Sequence, residues 1–280
     1  MQPSNQICFL NGQYLPITRA AISVNDLSVQ RGYGIFDFLR VVGQQPLYLA
    51  DHLDRFFRSA KEMRLEQGLD REEVTEIIFH LIHENRLAYS GIRLLLTGGS
   101  SPDGFQILRP SLAIVQKELA PPPDTLLYQG YQLVSYPHQR QLPHIKTIDY
   151  LMAIWLQPWI REQGADDVLY HQAGRVLELP RSNIFIITRS GILQTPGDQV
   201  LHGVTRKQIL ELAAAMGIPV AETDITMDAI RDAREVFISS STKRILPVVK
   251  VDGFELGPYT KDSIAAKLFE ALKEKEQKSL

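Results

Sequence analysis

The chain has 280 residues, with 30 Lys+Arg against 32 Asp+Glu and a formal net charge of −2. At 44% hydrophobic and 22% charged it has a globular balance that excludes a disordered chain, and ~150 residues per domain gives a prior of about two domains. The near-neutral charge offers no footprint for nucleic acid, no apolar run reaches the ~18 residues of a membrane span, and the single cysteine, Cys8, points to a reducing, cytoplasmic compartment.

In chain order, strands are predicted at 7–10, 35–42 and 45–49. Helical periodicity follows over 51–65, where Leu53, Phe56, Phe57, Ala60 and Met63 form one stripe that leaves Arg55 off it. A second helix is predicted over 70–87, opening on an acidic turn that suits a helix N-terminus. Strands at 92–97 and 111–116 complete a smaller α/β domain over 1–118. Pro121–Pro123 exclude a helix or central strand and mark a linker over 119–124. The larger domain, 125–280, mixes elements: a strand at 126–135, an apolar helix at 148–163, a hairpin over 167–179, and strands at 183–188 and 191–194. A helix at 203–216, stopped by Gly217 and Pro219, strands at 236–240 and 245–251, and a charged helix at 259–276 follow. The hairpins favour a mixed, barrel-like sheet over a doubly wound parallel one, so the fold class is α+β with two domains.

Four features of the larger domain carry chemistry. Lys146, in Pro143-His144-Ile145-Lys146-Thr147, stands between a polar stretch and an apolar helix. Desolvation there would leave a free amine for imine chemistry, although a lone lysine at such a place also reads as a solvated loop residue. Glu178 ends one strand just before Ser182-Asn183 opens the next, where an acid could hold a ring nitrogen protonated or simply face solvent. Leu201-His202-Gly203-Val204-Thr205-Arg206 opens a helix, whose free amides and positive dipole end suit phosphate; plain capping by Thr205 explains it equally. Ser239-Ser240-Ser241-Thr242-Lys243 is a second phosphate clamp or an ordinary turn.

Taken together with Gly34-Ile35-Phe36-Asp37, His52-Leu53-Asp54-Arg55 and Ser59, these segments resemble, in order and spacing, the fold-type IV enzymes that use pyridoxal 5′-phosphate (PLP). That group includes D-amino-acid transaminases, branched-chain aminotransferases and aminodeoxychorismate lyases. The resemblance implies a homodimeric transaminase in which Lys146 holds PLP as a Schiff base and acts as the catalytic base and acid. It implies that Glu178 pairs with the pyridine nitrogen and Leu201 packs on the ring. Gly203, Val204, Thr205, Ser240 and Ser241 would cradle the phosphate, with Arg55 as its charged partner. The substrates implied are amino acids and 2-oxo acids such as 2-oxoglutarate; no metal is expected.

The substrate side departs from the family's patterns. Where typical D-amino-acid transaminases place an Arg and a His for the α-carboxylate, this chain has Asp103 and Phe105; the usual Tyr is Phe36. Branched-chain enzymes carry Gly where Phe38 stands, yet share Arg40. Arg31 and Arg93 fall where aromatic residues usually line the pocket, and guanidinium groups there suggest carboxylate binding; ion pairs with Asp37 or Asp26 would explain them otherwise. Phe36, Thr242 and Lys243 complete the candidate substrate residues. The reading is a D-amino-acid transaminase, with branched-chain L-amino-acid aminotransferase, aminodeoxychorismate lyase and a non-catalytic phosphate-ligand module as alternatives.

Overall fold

The computed structural model describes residues 6–66, 68–121, 129–257 and 259–280. The chain forms two compact units: Met1–Pro121 with Ile145–Asp149 and Ser279–Leu280, and Pro122–His144 with Tyr150–Lys278. Of the linker read from the prolines, residues 122–124 lie outside the described residues, as do the first residues of the strand expected from 126.

The first unit is built on a six-stranded antiparallel sheet of β1 (Ile7–Leu10), β2 (Gln13–Pro16), β3 (Gly34–Val42), β4 (Gln45–Pro46), β5 (Tyr89–Thr97) and β6 (Ser111–Glu118). Its order is β2-β1-β6-β5-β3-β4. Period-two alternation along β3 buries Ile35, Asp37, Leu39 and Val41. Ile35, Leu39 and Val41 pack in one core with Leu53 and Phe56 of α2 (Leu49–Glu62) and Ile78 and Leu81 of α3 (Arg71–Asn85). α3 starts where Asp70 accepts from the Glu73 N–H and the Glu73 side chain accepts from the Asp70 N–H, a reciprocal cap. The strand expected over 45–49 ends early because Tyr48 turns left-handed (φ 54°) and α2 begins at Leu49.

Ile145–Asp149 group with this first unit rather than with the rest of 125–280. Thr147 bridges Ile35, the Phe36 N–H donates to Lys146 O (3.0 Å), and the Ile148 N–H donates to Gly34 O (3.1 Å). Gly34 permits that approach: an added Cβ would lie 2.9 Å from Leu96 O and 3.0 Å from Ile148 Cδ1.

The second unit carries the mixed sheet that the hairpins foreshadowed. Its strands are β7 (Tyr131–Pro137), β8 (Asp167–Gln172), β9 (Arg175–Val176), β10 (Glu178–Leu179), β11 (Ser182–Ile187), β12 (Leu193–Thr195), β13 (Val220–Glu222), β14 (Ile225–Thr226), β15 (Glu235–Ser240), β16 (Arg244–Val251) and β17 (Phe254–Glu255). The main path runs β13-β12-β11-β15-β16-β7-β8-β9-β14, with β10 on β11 and β17 on β16. β7 pairs in parallel with β8 and β16, and β12 with β13, while the remaining pairs are antiparallel. Helices Val204–Ala215 and Ile264–Gln277 supply Ile209, Ala213, Leu268 and Phe269 to its core. The helix expected over 148–163 is two, Leu151–Trp155 and Gln157–Glu162, because Pro158 starts a new helix better than it continues one. Among the described residues, no helix is long and apolar enough to cross a membrane.

Candidate active site

In the first unit, β3 presents two adjacent residues to opposite faces. Asp37 points into the core, where its Oδ2 accepts from Arg55 Nε and its Oδ1 from Arg55 Nη2, both at 2.8 Å. Oδ1 also lies 2.7 Å from His52 Nδ1 and accepts from the Phe38 N–H at 2.7 Å. Burial works to raise the Asp37 carboxyl, but Arg55 and His52 overcome it and hold it well below the usual carboxylate range. Burial pushes the His52 imidazole down, against the opposing pull of Asp37; because an ionised carboxylate only accepts, Nδ1–H donates to Asp37. Nδ1 then has no lone pair for Arg55 Nη2, 3.3 Å away, and that approach is a contact rather than a hydrogen bond.

Arg55 is 4% exposed. The expectation that it stands clear of the core is therefore corrected. His52, Arg55, Phe56 and Ser59 share the buried face of α2, and the carboxylate of Asp37 is what makes a buried guanidinium tolerable there.

Phe36, on the other face of β3, is half-buried. Its ring centroid lies 4.5 Å from Lys146 Nζ and 5.5 Å from the Arg93 guanidinium carbon. Lys146 is itself half-buried, and its charge is among those felt by His52. Arg93 is exposed on β5, opposite Phe38 in the register. Arg31 ends the helix Leu27–Arg31, donates to Gln30 O and stacks over the Phe105 ring at 5.1 Å. Neither arginine makes an ion pair among the described residues, because the carboxylates that could have held them are engaged elsewhere. Asp37 binds Arg55 and His52, while Asp26 caps the Ser28 N–H and accepts from Thr97 Oγ1. Asp103 is occupied too: it accepts from Ser101 Oγ and the N–H groups of Phe105 and Gln106, and those backbone bonds lower its carboxyl.

In the second unit, Glu178 is 5% exposed and held at both oxygens. Oε1 accepts from Arg140 Nε at 2.7 Å and Oε2 from the Leu201 N–H at 3.0 Å. Leu201 O accepts from Asn183 Nδ2 at 2.7 Å, and Asn183 Oδ1 stands 2.3 Å from where a Cβ on Gly203 would sit. Gly203 is the N-cap of the helix Val204–Ala215, and no side chain caps it. The Lys207 N–H is the one that reaches back to Gly203 O (3.0 Å), so the earlier amides keep donors for an external anion. Thr205 lies buried in that first turn. Ser240 Oγ accepts from the Lys243 N–H (3.2 Å) and lies 3.5 Å from Thr242 Oγ1, so it serves its own turn. Ser241 lies beside it, and Lys243 Nζ rests 4.3 Å from the Tyr131 ring centroid. Sequence reasoning gave Arg140 and Asn183 no role; a lone arginine in a polar stretch carries no periodic or motif signal.

The second unit holds a helix N-terminus without a side-chain cap and the buried Glu178 carboxylate; the first holds the half-buried Lys146. Taken one by one, free helix amides suit a phosphate, a carboxylate suits a protonated ring nitrogen and an amine suits an aldehyde, the chemistry of the three handles of PLP. Among the described residues no cluster suits a metal ion.

Comparison with known proteins agrees. Residues 34–251 match the family model described as amino-transferase class IV. The D-alanine aminotransferase of Listeria monocytogenes serotype 4b is 30% identical over 259 residues, 89% of each chain. The crystal structure of a branched-chain aminotransferase from Thermoproteus uzoniensis with norvaline superposes with a TM-score of 0.88 at 27% identity, covering 98% of this chain and 97% of that one. The PLP-bound form of a hypothetical aminotransferase from Mycobacterium tuberculosis shares the fold, with a TM-score of 0.81 at 21% identity over 95% of this chain and 98% of that one. Aminotransferases of this fold type use PLP. The chain belongs to the class IV aminotransferases.

Proposed function

We propose that this aminotransferase moves an amino group from a D-amino acid to a 2-oxo acid such as 2-oxoglutarate, and that Arg93 receives a substrate carboxylate. The observation that carries the proposal is the shared Phe36 ring: the Lys146 amine and a guanidinium with no ion-pair partner among the described residues lie on the same aromatic side chain. Arg31, also without an ion pair among the described residues, is the second candidate for an acidic substrate. PLP supplies an electron sink that makes the substrate α-proton removable. Lys146 would hold the cofactor through Nζ, and its amine, when free, would take the proton from the substrate α-carbon and give it back as an acid. Glu178 would hold the ring nitrogen in its protonated form. The amides of Val204 and Thr205 and the Thr205 hydroxyl would bind the phosphate, with Gly203 leaving room, and Leu201 would lie against the ring. Arg55, fixed by Asp37, is the charged phosphate partner, and Ser240 and Ser241 are further donors.

A branched-chain L-amino acid is the second reading. Half-buried Phe36, Phe38 and Leu95 share one face of the first sheet and would suit an apolar side chain. A panel of D- and L-amino acids with 2-oxoglutarate decides between them: turnover with D-glutamate or D-alanine and none with L-leucine supports the first, and the reverse supports the second. We also propose a homodimer in a reducing cytoplasm. Exposed Leu151, Ile154 and Trp155, at 73%, 70% and 64%, support the first statement and the free, buried Cys8 the second.

A further inference from the structure

We infer that Arg140 is a positioning residue for this reaction: it keeps Glu178 an oriented carboxylate, and through Glu178 ties the ring-nitrogen anchor to the phosphate-binding turn. This rests on the reading of Glu178 as partner of the ring nitrogen.

A buried carboxylic acid left to itself favours its neutral form, which would offer a proton where one must be accepted. Arg140 prevents this. Its guanidinium lies against the carboxylate, and the side chain is 14% exposed against 6% for Glu178, so water screens the pair little. The bond from Nε to Oε1 (2.7 Å) and the Leu201 N–H to Oε2 (3.0 Å) fix both oxygens in place. Arg140 Nη2 also donates to Pro143 O, three residues before Lys146 in the chain. Beyond Glu178 the network continues from Leu201, two residues before Gly203, the N-cap of the helix proposed to bind phosphate; the Leu201 carbonyl accepts from Asn183 Nδ2. One guanidinium thus sets the charge and the orientation of the acid, and the acid in turn holds the backbone that leads to the phosphate site.

The test compares holoenzymes of wild type, Arg140→Gln, Arg140→Lys and Glu178→Gln. Three quantities are read: the rate of PLP loss on dilution, the pH titration of the cofactor's visible band, and kcat against KM. Glu178→Gln should speed cofactor loss and move the band. Arg140→Gln should change both in the same direction, with cofactor loss roughly tenfold faster, and lower kcat more than it raises KM. Arg140→Lys should recover part of the effect, since it keeps the charge but not the fork. A purely structural role for Arg140 would lower stability without moving the band. If Glu178→Gln has its effect while both Arg140 variants keep the wild-type band and cofactor loss, the inference is overturned and the role of Glu178 stands. If Glu178→Gln itself changes neither, the reading of Glu178 and the inference fall together.

Discussion

Arg55 grips Asp37 through two parallel hydrogen bonds of 2.8 Å, and both residues are almost wholly buried. Removing one partner of such a pair leaves an uncompensated charge in the core, so Asp37→Asn should cost about 3–5 kcal/mol in urea unfolding at pH 7. The folded-state carboxyl of Asp37 lies below its unfolded value. Its stabilisation is therefore complete above pH ~4 and is lost as pH falls below that value. His52, also depressed in the folded state, acts with the same sign and begins to weaken the fold as pH drops through ~6.5. Wild type should lose its advantage over Asp37→Asn as the pH is lowered past ~4; an advantage that persists undiminished at pH ~2.5 would contradict the network's charge state.

Gly203→Ala probes the turn proposed to bind phosphate. The new Cβ would stand 2.3 Å from Asn183 Oδ1, so the Asn183 side chain, which donates to Leu201 O, must shift. A stability loss of about 1–3 kcal/mol by thermal melting and a weaker hold on PLP are the expected outcomes. Unchanged cofactor retention would place the phosphate elsewhere.

Arg93→Ala should raise KM for the 2-oxo acid roughly tenfold, about 1.4 kcal/mol, with a smaller effect on kcat. Arg93→Lys should restore only part of it, because lysine lacks the planar fork. KM values unchanged for every acid tested would leave Arg93 without a substrate role.

Much of the architecture was legible in the chain because its signals are local. The alternation along Gly34–Val42, the acidic opening of Arg71–Asn85 and the Gly217 stop after Val204–Ala215 each state their element within a few residues. Lys146 and Glu178 stand out in the sequence because they lie at element boundaries within an ordered set of motifs, and both are at least half-buried in the fold. The remainder depends on partners distant in sequence. That Arg55 turns inward follows from Asp37, 18 residues earlier on another element, and apolar periodicity counts an arginine as surface. Arg140 finds Glu178 across 38 residues, and no spacing rule anticipates that pair. The attachment of Ile145–Asp149 to β3 rests on backbone hydrogen bonds, which no side-chain pattern records.

The central claim is that PLP is bound covalently at Lys146 and that this lysine performs the transfer. Borohydride reduction of the holoenzyme, proteolysis and mass spectrometry of the peptides test it in one step. The account expects the phosphopyridoxyl mass on the peptide containing Lys146, and neither label nor turnover in Lys146→Ala. The label on another lysine, or normal transamination by Lys146→Ala, would contradict it.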